Sequence, residues 1–515
     1  MPEQISSNKR VAKNTLMLYF RMILVMVVGL YTSRVVLQTL GVSDYGVYSV
    51  VGGFVSMIGV LQSLFVSSTQ RYMAFAIGKQ DDDQIKRVFS NSVVIEFCIA
   101  GIILLLAETF GLWYVNNKLV IDAGRMVAAN WVYQAAVLSM IINIISIPYN
   151  SCIIAHEHMH IYAYVSIIDV VLRLVIVFLI QVIPFDKLIS YSILTVSVAV
   201  IIRLCYTIYS RKHFEETRTK NHLKKFNKPL FKEMFSFAFW SFLGAMGFSF
   251  KDQFSNMMQN SFFGTKVNAA RGLAISVNGM VNSFSGNFMM ALNPQITKQY
   301  AAGDKKQYQT LVFTGSRLSF FLLSLIAIPL MVNVDYVLEL WLGEVPQYTN
   351  IFIIITLLSS LIYSLSQGTT SAIKATGKIR AFEIGISIIL LSEIPLGYIL
   401  LKMGYPPYAA MLPAFITQPA GLIYRFILLK RNEPSFSYRY YFINIVLRSA
   451  IIFAVGLVAC KFIAGLHSAC FWWLCCNVVI CVLIYGSLIY IFGTNKTEKN
   501  LITNLIRTKV LKRKV

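Results

Sequence analysis

The chain has 515 residues, 57% hydrophobic and 13% charged, with a mean hydropathy of +0.64. Soluble domains carry roughly 25% charged residues, so a water-soluble enzyme and a disordered chain are excluded. So are collagen and a disulfide scaffold, since Gly and Pro show no period and cysteines number only 8. Lys and Arg total 46 against 23 Asp and Glu, a net charge of +23, and its meaning depends on where the basic residues fall.

A helix needs about 20 apolar residues to cross a bilayer. Apolar stretches run over 15–39, 46–68, 89–115, 128–152, 161–183, 188–210, 235–258, 268–293, 311–333, 350–373, 381–401, 408–429, 442–464 and 471–492. They predict an all-α integral membrane protein with about 14 transmembrane helices. With the N-terminus placed in the cytoplasm, the inner segments hold 31 basic residues and the outer loops 5: Lys118, Arg125, Lys187, Lys266 and Lys402. Such a bias is the positive-inside pattern, and it predicts that both termini face the cytoplasm. The basic excess thus serves topology and attraction to anionic membrane lipids, and a nucleic-acid role is not expected. Lys9, Arg10 and Lys13 precede an apolar run that is longer than a signal-peptide core and contains Arg21 and Arg34, so it reads as the first span. The cysteines lie almost wholly within spans, lack metal-ligand spacing, and read as small packing residues.

The outer loops are short, the longest at about Val334–Asn350, which leaves no room there for a soluble catalytic domain. The expected organisation is an N-terminal six-helix bundle over 1–210, a basic cytoplasmic linker over 211–234, and a second six-helix bundle over 235–430. Two extra helices and a basic tail fill 431–515. An internal repeat supports two halves. AFAIGKQDDDQIKRVFSNS, with Gly78, Lys79 and Phe89, matches KQYAAGDKKQYQTLVFTGS, with Gly303, Asp304 and Phe313, about 225 residues later. LGVSDYG (Leu40–Gly46) and FGTKVNA (Phe263–Ala269) occupy corresponding outer turns at nearly the same offset. Halves that start on the same side imply a pseudo-two-fold along the membrane normal.

LQTLGVSDYGVYSV in the first outer turn, LNPQITKQYAAGDKKQ after the eighth span and ELWLGEVP (Glu339–Pro346) before the tenth carry a resemblance, with IPYNSCIIA (Ile147–Ala155) a looser match. Over residues 10–430 the chain resembles the multidrug/oligosaccharidyl-lipid/polysaccharide (MOP) exporter superfamily, in particular its polysaccharide-transporter or O-antigen flippase branch. These motifs are structural turns, so they specify fold better than substrate. Fourteen spans instead of twelve is a departure, shared with the similar lipid II flippases. The resemblance implies a MATE-like pair of bundles in a bacterial inner membrane, working by alternating access. Its implied substrate is an undecaprenyl-pyrophosphate-linked glycan, moved from cytoplasmic to periplasmic leaflet in company with other glycan-assembly membrane proteins. A multidrug or cation exporter on the same scaffold, or a polytopic glycan polymerase or ligase, are the alternatives.

A charge at mid-bilayer costs roughly 2.5–3.5 kcal/mol on insertion scales, so ions inside spans face a wet cavity or a partner. Arg21 and Arg34 in the first span, Lys251 in the seventh and Arg271 in the eighth are candidate ligands for a pyrophosphate headgroup. The plainer reading is snorkelling for Arg34 and Arg271, and neutralisation of Lys251 by Asp252. Arg271, Asn278, Asn282, Ser285 and Asn293 fall on one helical face; so do Ser360, Ser364, Gln367 and Ser371, and again Ser49, Ser56, Ser63 and Gln70. Such stripes suit a sugar-passing cleft, with Asn278, Asn282 and Gln367 as substrate ligands, or else bond helix to helix. Asp169 and Arg173, four residues apart, read as a local pair. Glu96, Asp169 and Glu393 are the candidates for coupling to proton or sodium movement; no cofactor is expected. His156-Glu157-His158-Met159-His160 satisfies H-E-x-x-H, but a short connection with no third ligand motif reads as an interfacial turn, not a zinc centre.

Overall fold

In the computed structural model the described residues are 2–117, 123–218, 225–263, 265–342, 345–466, 470–495 and 498–499, and among them the chain is helical without strands. The helices are α1 (Pro2–Gly78), α2 (Asp82–Asn117), α3 (Met126–Ala155), α4 (Met159–Val182), α5 (Lys187–His213), α6 (Lys228–Phe263), α7 (Thr265–Ala302) and α8 (Lys305–Val332). They continue as α9 (Val334–Leu342), α10 (Thr349–Leu365), α11 (Gln367–Thr376), α12 (Arg380–Lys402), α13 (Pro407–Asn432), α14 (Tyr438–Ala464) and α15 (Phe471–Gly493). Nine of these are long and apolar enough to cross a membrane, and α10 with α11 forms a further span bent by 45°.

The expected outer turn at 40–46 falls inside α1, whose helical backbone runs without a break for 77 residues. It nevertheless doubles back. Asn14 Nδ2 donates to the Glu157 carbonyl at 3.3 Å, the Glu157 carboxylate receives Lys298 Nζ at 2.7 Å, and a Cβ on Gly78 would lie 2.5 Å from the Lys298 carbonyl. The two ends of α1 therefore meet the two members of one ion pair. A straight helix, rising about 1.5 Å per residue, would hold residues 14 and 78 roughly 95 Å apart. The reversal lies near Asp44, which binds Arg125 at the opposite ends of α3 and α5. Abutting helical turns replace the loop. With α1 counted as two spans, and with α6 and α7 at 36 and 38 residues, the fold has about 14 transmembrane helices.

The chain forms two compact units. The N unit comprises 11–242 and 297–303; the C unit comprises 1–10, 243–296 and 304–515. In the N unit α3 is the central helix, burying Tyr133, Ile144 and Ile153 against α2 and α5. A π-turn at Ala107–Gly111 interrupts α2, and Tyr133 Oη donates at 2.7 Å to the Ala107 carbonyl, which also accepts the Leu112 N–H. In the C unit α8 is central. Gly368 of α11 approaches it so closely that a Cβ would stand 2.2 Å from the Val312 carbonyl. The last two helices pack on α8 as well, through Ser324–Tyr485 at 2.7 Å and Asn333–Asn477 at 2.9 Å, so they belong to the C unit's core.

One end of the N unit is tied by Arg125. Its Nε donates to Asp44 at 2.8 Å and its Nη1 to Asp186 at 2.6 Å, while Asp186 also caps α5 by accepting the amides of Leu188 and Ile189. Partial burial works against ionisation of Asp186, but Arg125 and the cap amides hold its carboxyl below the usual range. A depressed folded-state pKa adds stability that is complete above the unfolded value and is lost as pH falls through the folded one. Discounting for exposure, Arg125→Ala is expected to cost about 1 kcal/mol at neutral pH. The gap to wild type should shrink once pH drops below about 4, as measured by thermal unfolding in detergent. A gap that stays constant well below that pH would refute the assignment.

Candidate functional site

Two groups of charged side chains occupy the spans, one in each unit. In the C unit, Lys251 and Asp252 come from α6, Arg271 from α7 and Glu393 from α12. Lys251 Nζ lies 3.3 Å from Glu393 and 3.5 Å from Asp252; Arg271 lies 3.7 Å from Asp252 and donates to Gln259 at 3.1 Å. Gln259 passes the chain to the Pro407 carbonyl at 3.0 Å, and Thr417 donates to Glu393. Glu393 sits where α12 is broken at Ser392, two residues before Pro395, whose missing N–H frees a turn of backbone. Two cations and two carboxylates alternate along this chain, and Arg271, Lys251 and Glu393 have side chains only 3, 12 and 8% exposed. Two positive and two negative groups thus balance within the network. Glu393, which lacks a partner on its own helix, finds one on α6.

The polar stripes of the C unit also meet each other. Asn282 Nδ2 donates to Ser360 at 3.1 Å and to Asn278 Oδ1 at 2.9 Å, and Ser360 donates to Asn278 at 2.9 Å. Ser285 donates to Gln367 at 3.0 Å and Ser371 to Asn293 at 2.6 Å. Asn278, Asn282 and Gln367 therefore form rungs of a ladder joining α7 to α10 and α11, because amides and hydroxyls in an apolar span satisfy one another. Of the third stripe, the side chains of Ser49, Ser56 and Ser63 lie outside the described residues, as does that of Arg34.

In the N unit the arrangement differs. The Arg21 guanidinium sits over the ring of Tyr162, 4.6 Å from its centroid, and its Nε is buried with no hydrogen-bond partner among the described residues. Tyr162 opens a stripe on α4 that continues through Ser166 and Asp169 to Arg173. At 100° per residue these four fall within roughly 60° of arc, over about 16 Å of helix. Tyr206 of α5 stands beside Ser166, within electrostatic reach of Arg21 and Asp169. Asp169 and Arg173 pair at 3.1 Å with side chains 30 and 43% exposed. An exposed i,i+4 pair is worth only about 0.3–0.5 kcal/mol, too little to account for two charges inside an apolar helix.

Arg173 opens into a cavity of about 390 Å³ whose polar lining includes Tyr48, Ser139, Asn143, Ser192 and Thr195. Ser139 Oγ is buried there without a partner among the described residues. Glu96 of α2 is fully buried, and both its carboxyl oxygens lack a partner among the described residues. Sequence reasoning paired Asp169 with Arg173 but missed Tyr162, Ser166 and the cavity; the i, i+4, i+7, i+11 spacing on one helix was the available signal. It also missed Arg425 of α13, 4% exposed, whose guanidinium faces the rings of Tyr363 and Phe382 at 5.4 and 5.8 Å.

The H-E-x-x-H string does not lie on one unbroken helix. The helix breaks at His156, Glu157 has a left-handed φ of 64°, and His158 bonds Tyr209 Oη at 2.8 Å.

A MatE family model matches residues 241–399. No curated protein sequence matches significantly. Among solved structures, a multidrug-resistance MATE family transporter of the MOP superfamily, in an outward-facing conformation, is 14% identical with a TM-score of 0.69, covering 83% of this chain and 96% of its own. The MATE transporter ClbM in complex with Rb+ is 12% identical with a TM-score of 0.68, covering 84 and 96%. A variant of the Vibrio cholerae MATE transporter VcmN is 17% identical with a TM-score of 0.66, covering 86 and 100%. The chain therefore has the MATE transporter fold and is a multi-pass membrane protein.

Removing one member of a buried ion network leaves its partner charged and alone, at a cost of about 3–5 kcal/mol. Lys251→Met is expected to lower thermal stability by that order, and Lys251→Met with Glu393→Gln to recover at least half. Unfolding followed in detergent would show it, and two equally unstable variants would contradict the pairing.

Proposed function

We propose that this chain is a secondary exporter working by alternating access, and that its cargo carries negative charge and sugar hydroxyls: an undecaprenyl-pyrophosphate-linked glycan. The observation that carries this reading is the N-unit stripe. It places Arg21 and Arg173 on one polar track that ends in a hydroxyl- and amide-lined cavity. A guanidinium binds phosphate oxygens bidentately, and hydroxyls and amides exchange hydrogen bonds with sugar at little desolvation cost. Asp169, Asp252 and Glu393 each already face a cation, which disfavours them as ligands for a cationic drug. On this reading the polyprenyl tail stays in lipid while the headgroup travels, and the last two helices buttress α8.

A second reading, a proton- or sodium-coupled exporter of organic cations, draws on the multidrug and Rb+-bound transporters of the same fold and on the buried carboxyl of Glu96. It predicts drug efflux that fails in Glu96→Gln.

The two are separated in proteoliposomes. Purified protein is expected to move a pyrophosphate-linked glycolipid between leaflets. Arg21→Gln and Arg173→Gln should each slow this by roughly 10–100-fold, the loss of one charge-assisted contact of about 1.5–3 kcal/mol. Organic-cation efflux with no glycolipid movement would replace the first reading by the second.

A further inference from the structure

One cluster lies outside the transport track, at the end of the N unit that the charge count assigns to the cytoplasm. Cys152 and His156 are four residues apart at the C-terminal turn of α3, so both side chains leave the same face. Glu216 comes from the single 3-10 turn that follows α5. Its Oε1 accepts from Cys152 Sγ at 3.3 Å and lies 2.7 Å from His156 Nε2. The thiol, imidazole and carboxylate donor atoms all lie within 4.8 Å of one another. Cys152 is fully buried and Glu216 is 6% exposed. Phe214 stacks flat on the His156 ring, with centroids 4.3 Å apart, and fixes its orientation.

We propose that Cys152, His156 and Glu216 form a zinc-binding site that pins the turn leaving α5 to the end of α3. Zinc bonds thiolate at about 2.3 Å and imidazole or carboxylate at about 2.0–2.2 Å, which puts the donors of one tetrahedral ion roughly 3.3–3.8 Å apart. The separations here, 2.7 and 3.3 Å with all three donors within 4.8 Å of one another, are close to that spacing. A mixed sulfur, nitrogen and oxygen set suits a borderline-soft ion and disfavours calcium or magnesium, which take oxygen ligands. Binding displaces the thiol proton to solvent, Cys–SH + Zn²⁺ giving Cys–S–Zn⁺ + H⁺. Neutral His156 offers its Nε2 lone pair, Glu216 exchanges two hydrogen bonds for one metal bond, and water completes the fourth position. This is not the H-E-x-x-H chemistry: His158 and His160 are not ligands, and Glu157 is engaged by Lys298.

The test uses the full-length chain, stripped with chelator and dialysed in detergent. It should take up one equivalent of zinc. With Co²⁺ it should give the near-ultraviolet thiolate-to-metal charge-transfer band, and a variant keeping Cys152 as its sole cysteine should retain both. C152S should abolish the band, H156Q and E216Q should weaken zinc binding by at least about 100-fold, and the double change H158Q/H160Q should alter neither. The proposal fails if wild type binds no stoichiometric zinc, leaving a hydrogen-bonded triad only. It also fails if binding survives C152S but is lost in H158Q/H160Q, the mark of surface histidine chelation.

Discussion

Hydrocarbon offers no hydrogen bonds, so each polar group inside a span must be answered by another protein group or by a wet cavity. That constraint organises this molecule. It explains why α7 and α10–α11 carry amide and hydroxyl stripes in register, each rung satisfying the one opposite. It explains why Lys251, Asp252, Arg271 and Glu393 alternate in sign along a connected path. The same rule reaches the backbone, where Tyr133 takes up a carbonyl at the π-turn of α2. A chain with this many interior polar groups holds its helices in register by pairwise bonds, because apolar contact alone does not distinguish a helix face from lipid.

Against that background, the groups left unanswered carry the most information. Ser139 Oγ, Arg21 Nε and the Glu96 carboxyl are buried without partners among the described residues of the N unit, as are Arg271 Nε, Ser319 Oγ and Arg425 Nε in the C unit. The C-unit ion network ends on Thr417 at one side and on the Pro407 carbonyl at the other.

Much of the fold was legible because hydropathy and charge bias are additive along the sequence. Fourteen apolar stretches needed no knowledge of packing. The turn at 40–46 was harder, since Gly41, Ser43 and Gly46 signal a loop while the backbone reverses with helical turns on both sides. Interior partnerships were mostly illegible. Lys251 and Glu393 are 142 positions apart, and no spacing rule on either helix points to the other. The ladder was half visible: periodicity found both stripes, but only the fold shows that α7 and α10–α11 turn them toward each other.

Local patterns failed in a different way at His156–His160. The string has the spacing of a metal motif, but that spacing works only on an unbroken helix, where i and i+4 share a face. Glu157 adopts a left-handed backbone and the helix stops, so His156 and His160 no longer share one helical face. The residue four positions earlier, Cys152, is still on the helix and does share a face with His156, and the turn after α5 brings Glu216 to both. Ligand spacing in a sequence is therefore a claim about backbone continuity. Here that continuity runs from 152 to 156 and ends there, which moves the metal-binding chemistry from the obvious motif to its upstream neighbour.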